Sequence, residues 1–260
     1  MTPGEVLVEL ERARDAVSGD LAHRLRSYLA EAFDDALAED RLAANPARHP
    51  KVAKGLGPMP QQERYAHIRD VPTLREVLRT VEDFPGNASI AAVLWLSPRL
   101  FCRPGEVRGL LWSEVDLEGA RLVIDAKRMK AKREHVIPLA RQCADRIDRM
   151  PRVGDHVFPG VQRKGRPLSS GTISMAMGRL GIDPKTIVPH GWRHTASSLL
   201  NEREFLVDGA SVRFRADAIE AQPAHAGKGV RAIYNRAEYM DERRRMMQAW
   251  ADWCDEVVRA

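Results

Sequence analysis

The sequence lacks the usual marks of a secreted or membrane protein. Its 260 residues hold only three cysteines, Cys102, Cys143 and Cys254, and none belongs to a CxxC pair. Neither a disulfide framework nor a structural zinc site is therefore expected. The longest apolar run, IAAVLWL at 90–96, is far shorter than the roughly 20 residues that a membrane-spanning helix needs. The amino terminus has no signal-peptide pattern either, so we expect a cytoplasmic protein that has no membrane partner.

A strong excess of one charge is also missing. The formal net charge is +5, and 30% of the residues are charged, so both signs are dense along the chain. This moderate basic excess is compatible with a polyanionic partner but does not require one.

The first 45 residues predict a helical hairpin. Thr2, Pro3 and Glu5 have the spacing of a capping box with proline at the first helical position. Apolar residues then recur at helical spacing in two successive stretches. From residue 46 to 65 the chain is rich in proline, glycine and basic residues, which predicts an extended linker. We therefore place a domain boundary there, with a larger domain at 66–260.

The larger domain is predicted to be mainly α with one small antiparallel β-sheet. Helices are expected from Pro72, over Ala88–Leu100 and from Pro104. The period then changes to 2 in ARLVIDA (120–126) and REHVIPL (133–139), which predict a hairpin, with SEVDLEG (113–119) as a third strand. Further helices are expected at about 140–150, 170–180, 190–201, 216–222, 228–236 and 238–258.

One predicted helix start, HGWRHTASSLL, concentrates cation-capable side chains. His190, Arg193 and His194 share the first turn, where the helix dipole is already positive. The two histidines have the spacing of zinc ligands, but no third ligand is apparent nearby. Capping and solvation would explain the cluster. So would a bound phosphate, because donors at a helix start favour an anion.

A second helix start, CRPGEVRG, places Arg103 three residues before Glu106. A structural ion pair is one interpretation. The other is that the Arg103 fork of donors, next to free backbone N–H groups, binds two non-bridging phosphate oxygens.

The turn between the two predicted strands of the hairpin is strongly basic. A charged hairpin tip is usually only solvated. A basic β-turn can nevertheless enter a DNA groove, and a lysine among other cations can donate a proton to a leaving oxygen. The residues concerned are Lys127, Arg128, Lys130, Lys132 and Arg133.

Near the carboxyl terminus, Tyr234 follows His225 by nine residues in a basic stretch, and Tyr239 lies five residues further on. Tyrosine on an amphipathic helix usually packs against the core, but either hydroxyl is also a candidate nucleophile.

Taken in order, these motifs resemble the catalytic signature of the tyrosine recombinases, the phage integrase family. The order is arginine, hairpin lysine, H-x-x-R, then histidine and tyrosine nine residues apart. The segments RPGEVRGLLWSEVDL, RMKAKREHVIPL, HGWRHTASSLLNE and VRAIYNRAEYMDERRRMMQAWADW are similar to those of the subgroup carried by prophages and genomic islands. The resemblance covers residues 66–258, with a fainter match over the first helices.

The resemblance implies a role for each motif residue. Arg103 and Arg193 would hold the scissile phosphate, and Glu106 would brace the site. Lys130, with Lys132 as the second choice, would protonate the leaving oxygen. The implied catalytic set is Arg103, Lys130, His190, Arg193, His225 and Tyr234. Further DNA contacts are expected from Arg128, Lys132, Arg133, Lys228, Arg231 and Arg236.

The resemblance also implies the fold and the reaction. We expect a tyrosine recombinase catalytic domain at 66–260, preceded by a short helical segment at 1–45 that is part of the core-binding DNA clamp. The expected activity is site-specific cutting and rejoining of DNA through a 3′-phosphotyrosyl intermediate, with no cofactor or metal. A homotetramer on two duplexes is implied, with an excisionase or a host DNA-bending protein as further partners, at a bacterial nucleoid. The alternatives are a catalytically impaired DNA-binding remnant and a type IB topoisomerase-like relaxing enzyme.

Three features depart from the family's usual pattern. Met1 falls partway into the core-binding domain, Pro223 replaces a leucine, and the segment 203–217 is predicted to be longer or more irregular than usual. The last two flank the active site, so they bear on the position of His225.

Overall fold

The computed structural model describes residues 1–60, 65–129, 132–160, 165–223 and 239–260. The chain divides into two compact units, Met1–Arg64 and Tyr65–Ala260.

The first unit is built from three helices: α1 (Pro3–Ala16), α2 (Gly19–Ala38) and α3 (Pro50–Leu56). Thr2 and Glu5 form the predicted capping box at the start of α1. A small apolar core holds the helices together, and its buried members are Val6, Leu10, Ala22, Ala30, Ala47, Val52 and Leu56. The helical hairpin at the amino terminus is therefore present in the structure.

The prediction of an extended linker from residue 46 was wrong over its first half. Pro46 opens a 3₁₀ turn and Pro50 opens α3, because proline is well suited to the first helical position. Asn45 caps the 3₁₀ turn, accepting from the main-chain N–H groups of Ala47 and Arg48, and its Nδ2 donates to the Ala30 carbonyl (2.8 Å). The prolines thus start helices that pack on the first unit's own core.

The second unit is mainly α, as predicted. Its helices surround one continuous apolar core to which all the longer ones contribute. They are α4 (Val71–Glu82), α5 (Ala88–Leu100), α6 (Pro104–Arg108), α7 (Arg141–Asp148), α8 (Thr172–Arg179), α9 (Gly191–Glu202), α10 (Ala216–Ala221) and α11 (Met240–Arg259). The helix predicted at 228–236 lies outside the described residues.

The predicted three-stranded antiparallel sheet is also present. Its strands β1 (Val115–Asp116), β2 (Arg121–Ile124) and β3 (His135–Pro138) lie in the order β1-β2-β3. In the β2–β3 hairpin Val123 pairs with Val136 and Ile124 with His135. The basic turn therefore connects two strands that are held in a defined register.

The prediction of a single sheet was wrong, because the irregular stretch 203–217 contains a second hairpin. Its strands are β4 (Phe205–Val207) and β5 (Ala210–Val212). They are joined by Asp208 and Gly209, with φ values of 51° and 81°. An Asp-Gly pair between short β-prone runs is a strong hairpin signal that the sequence interpretation overlooked.

A buried arginine connects three helices of the second unit. Arg99 of α5 is fully buried, and its Nη2 pairs with Glu82 of α4 (2.6 Å) and Asp255 of α11 (2.8 Å). Its guanidinium also lies 3.8 Å from the centre of the Trp95 ring. Across the described ranges, no helix combines the length and apolar content of a membrane span.

Candidate active site

The first predicted catalytic arginine lies at the start of α6. Arg103 is the residue before Pro104, and both its main-chain N–H and its guanidinium donate to the Glu106 carboxylate (2.8 Å and 2.7 Å). The Glu106 side chain is buried, whereas the Arg103 side chain remains partly exposed. Glu106 therefore fixes the direction of Arg103 while leaving part of its guanidinium accessible. The ion pair that was one interpretation of this motif is therefore present, and the bracing role that the resemblance implied stays a prediction.

The second predicted catalytic arginine is buried on the first turn of α9. Arg193 is only 3% exposed, and its Nη1 has no hydrogen-bond partner among the described residues. Burial, followed by the positive charge of Arg103, lowers the pKa of Arg193 to about 10. The carboxylate of Glu106 acts in the opposite direction. The fold thus brings together two guanidinium groups that are 90 residues apart in sequence, and the nearby carboxylates of Glu106 and Glu220 do not outweigh burial and the Arg103 charge at Arg193.

His190 lies at the amino end of the same helix, immediately before Gly191, and is half-buried. Its ring centre is 4.4 Å from that of Tyr65 and 5.8 Å from that of His194. His194 also lies 5.6 Å from His67. Within the described ranges, no three His, Cys, Asp or Glu side chains are grouped as a set of metal ligands.

The start of α9 is held by the chain segment 65–68, a contact that the sequence did not predict. The Ala66 carbonyl accepts from the Val188 main-chain N–H (3.3 Å), and the Ile68 N–H donates to Thr195 Oγ1 (2.9 Å). Gly191 is required here, because a Cβ at this position would lie 2.0 Å from the Ala66 carbonyl oxygen. Tyr65 is consequently a site residue that sequence reasoning missed, since its partner is more than 120 residues away.

The basic residues of the hairpin turn have different environments. Arg128 pairs with the buried carboxylate of Glu114, which favours a role in holding the turn. Lys132, with φ at 48°, and Arg133 are exposed. Their predicted contacts with DNA are sterically open, whereas Arg128 would first have to leave Glu114.

Six of the predicted functional residues lie outside the described residues, so their roles stay predictions: Lys130, His225, Lys228, Arg231, Tyr234 and Arg236. The second candidate nucleophile is described. Tyr239 is 9% exposed, its hydroxyl donates to Asp217 Oδ2 (3.5 Å), and the Arg215 guanidinium lies 4.7 Å from its ring centre. These contacts favour packing for Tyr239. Pro223, at the end of the preceding described range, is buried.

A helical unit precedes a mainly α unit with a three-stranded sheet and two neighbouring arginines, and comparison with known families identifies the class of protein that has this fold. The model of the phage integrase family matches residues 70–213, and the chain belongs to this family. It is 32% identical to the prophage integrase IntS of Escherichia coli K12 over 98% of this chain and 64% of that protein. It is also 32% identical to the integrase of Shigella phage Sf6, over 99% of this chain and 64% of that protein.

Solved structures confirm the predicted fold. A λ integrase (75–356) dimer bound to a COC′ core site has a TM-score of 0.62 at 16% identity, over 87% of this chain and 80% of that one. The Tn1549 transposon integrase (82–397) in complex with circular intermediate DNA has a TM-score of 0.58 at 15% identity, over 90% of this chain and 80% of that one. The family and the fold predicted from the motifs are therefore confirmed, although the chain spans less than two thirds of the length of these curated relatives.

Proposed function

We propose that this chain is a site-specific DNA recombinase that cuts and rejoins duplex DNA through a 3′-phosphotyrosyl intermediate. The observation that carries the proposal is the proximity of Arg103 to the buried Arg193, whose Nη1 has no partner among the described residues. A buried cation without a complete set of acceptors destabilises the fold unless an anion binds it. Family membership makes a phosphodiester the natural anion.

The arrangement of the two arginines suits the transition state of phosphoryl transfer. Planar guanidinium groups present paired donors that match two non-bridging phosphate oxygens. Because Glu106 and the surrounding core hold both arginines before substrate arrives, little reorganisation is needed as charge develops on those oxygens. The arginines would thereby stabilise the negative charge that a metal ion stabilises in other phosphoryl-transfer enzymes.

The proposed reaction is a transesterification. Tyr234 Oη forms a bond to phosphorus while the bond from phosphorus to the 5′-oxygen breaks. The phenolic proton passes to His190 or His225, and the departing 5′-oxygen takes a proton from Lys130. The products are a 3′-phosphotyrosyl ester and a 5′-hydroxyl. Attack by a 5′-hydroxyl in the reverse sense rejoins the strand and regenerates the tyrosine.

The proposal extends to the rest of the chain. The exposed Lys132 and Arg133 would contact the DNA backbone from the hairpin turn. The first unit would be part of the core-binding clamp. By analogy with a λ integrase tetramer bound to a Holliday junction, the active assembly would be a tetramer on two duplexes. An excisionase or a host DNA-bending protein would join it at the nucleoid.

Covalent trapping tests the proposal. Duplexes that tile the DNA around the gene of this chain are nicked at low frequency and incubated with the 260-residue protein. A nick close to the scissile phosphate lets the short 5′-hydroxyl strand leave, so that the covalent adduct accumulates. We expect a protein–DNA complex that survives SDS and is destroyed by protease. Tyr234→Phe should abolish it, whereas Tyr239→Phe, the matched control, should retain it.

Two other results would favour one of the alternative functions. Salt-sensitive DNA binding by the wild-type chain without any adduct would contradict the proposal and favour a non-catalytic DNA-binding protein. Relaxation of supercoiled plasmid with cleavage at no defined position would favour a type IB topoisomerase-like activity.

A further inference from the structure

Three buried polar side chains from three separate chain segments meet in the second unit. His135 begins β3, Gln222 follows α10, and Arg243 lies in the first turn of α11; their exposed fractions are 3%, 0% and 2%. His135 Nε2 donates to the Gln222 carbonyl (2.9 Å), which fixes the proton on that nitrogen because a carbonyl only accepts. We call these three residues the buried junction.

Arg243 connects the other two segments of the buried junction. Its Nε donates to Gln222 Oε1 (2.9 Å), and its Nη2 donates to the Val136 carbonyl on β3 (2.7 Å). Two consecutive residues of β3 are thus attached, one to Gln222 and one to Arg243. Because β3 is paired in register with β2, the end of the hairpin next to the basic turn is attached to Gln222 and to the start of α11.

Stability alone does not account for the buried junction. Gln222 Nε2 is buried and has no hydrogen-bond partner among the described residues, and such a group costs free energy. An apolar residue of similar volume would fill the same space without that cost. A polar cluster kept in the core under these conditions points to a functional requirement.

The position of the buried junction in the chain indicates that requirement. Lys130 precedes His135 by five residues, His225 follows Gln222 by three, and Tyr234 precedes Arg243 by nine. Lys130, His225 and Tyr234 therefore each lie on a chain segment that also contains one member of the buried junction.

We propose that His135, Gln222 and Arg243 are positioning residues that hold the lysine hairpin against the segment of the proposed nucleophile, and so control protonation of the leaving 5′-oxygen. This inference rests on the proposed function. The three side chains do not touch the reacting atoms. Their effect passes through β3, whose first two residues they hold and whose preceding turn carries Lys130.

A change of leaving group separates this role from a purely structural one. Once trapping has located the scissile phosphate, its 5′-bridging oxygen is replaced by sulfur. A thiolate needs no proton to leave, because the pKa of a thiol is about 8.5, far below that of an alcohol. The substitution therefore bypasses the lysine, and Lys130→Ala should be slow on the oxygen substrate and close to wild type on the sulfur substrate.

The test variants are Arg243→Met and Gln222→Met, and the matched control is Arg99→Met. Arg99 is an equally buried arginine that also bonds across helices but lies outside the buried junction. We expect both junction variants, assayed below their melting temperatures, to cleave the oxygen substrate about tenfold or more slowly than wild type. The sulfur substrate should restore most of that loss. Arg99→Met should cleave both substrates with the wild-type ratio.

The outcomes are distinguishable. If the junction variants slow both substrates equally, or cleave the oxygen substrate at the wild-type rate, the inference is overturned. Should Arg243→Met not fold, Gln222→Met decides, because it removes one side-chain acceptor and leaves the His135 bond to the main chain intact. A wild-type chain that traps no DNA would overturn the proposed function, and the inference with it.

Discussion

At the scale of single residues, Arg103 and Arg193 illustrate opposite relations between charge and stability. Arg103 is the hydrogen-bonding partner of the buried Glu106, so its charge compensates another. Arg193 is buried with an unpartnered Nη1 and a pKa lowered to about 10. A folded-state pKa below the usual arginine value means that the fold penalises the charged form. That penalty is constant at neutral pH and is relieved only as the pH rises through about 10.

Two methionine substitutions should therefore have opposite effects on stability. Arg193→Met is expected to raise the free energy of unfolding by about 1 kcal/mol, because it removes a poorly compensated buried charge. Arg103→Met should lower it by about 1–3 kcal/mol, because Glu106 loses its guanidinium partner. Both should reduce covalent trapping by about a hundredfold or more. Urea denaturation at pH 7, together with the trapping assay, measures both effects; a loss of stability in Arg193→Met would contradict this account of the site.

At the scale of elements, the start of α9 depends on a backbone contact with the segment 65–68. Two hydrogen bonds connect the two, and Gly191 allows the Ala66 carbonyl to approach. His190 and Arg193 lie on this turn, so its position sets theirs. The sequence predicted the helix from its apolar period and the site from its cations. It could not predict the segment that packs on the turn, because no local pattern encodes a contact between distant residues.

A glycine pair tests this packing. Gly191→Ala should lower the free energy of unfolding by about 1–3 kcal/mol, since the new Cβ would overlap a main-chain oxygen that cannot move alone. Gly178→Ala, in α8, is the control. An added Cβ there meets nothing within 4 Å, and alanine is the better helix former, so stability should rise by about 0.5–1 kcal/mol. Thermal or urea unfolding measures both changes. An equal change in the free energy of unfolding of the two variants would show that segment 65–68 does not pack tightly on Gly191.

At the scale of the whole molecule, charge is divided unevenly between the two units. Residues 1–64 carry nine Lys and Arg against eleven Asp and Glu, a net charge of −2. The remaining residues carry 32 against 25, a net charge of +7. The basic excess of the chain therefore belongs entirely to the second unit. If the first unit takes part in a DNA clamp, it must do so through local contacts rather than through its overall field.

This division predicts how binding responds to salt. A fluorescently labelled 30-base-pair duplex should bind the full chain with an affinity that falls about 10²–10³-fold between 50 and 200 mM salt, as expected for about five phosphate contacts. The fragment 1–64 should show no comparable binding, whereas residues 65–260 should retain most of the slope. Strong salt-dependent binding by the first unit alone would contradict the charge argument.

The sequence predicted those features that depend on interactions between residues close together in the chain. Local signals were sufficient for most helices, for the three-stranded sheet and for the family, since caps, periods and ordered motifs depend on neighbouring residues. Local patterns were misleading where a residue type is common in two kinds of structure. Pro46 and Pro50 start helices in a stretch that was predicted to be a linker, and Asp208–Gly209 forms the turn of a hairpin that was not predicted.

The amino-acid sequence alone is sufficient to show that this chain is a mainly α member of the phage integrase family with an ordered series of cationic side chains. Which of those cations already have an acidic partner is seen only in the folded chain. Arg128 is paired with Glu114, Arg103 is oriented by Glu106, and Arg193 is buried without full compensation. The fold also brought His135, Gln222 and Arg243 together in the core. The physical reason is that burial and hydrogen-bond partners depend on residues far apart in the chain, and only the folded chain brings these together.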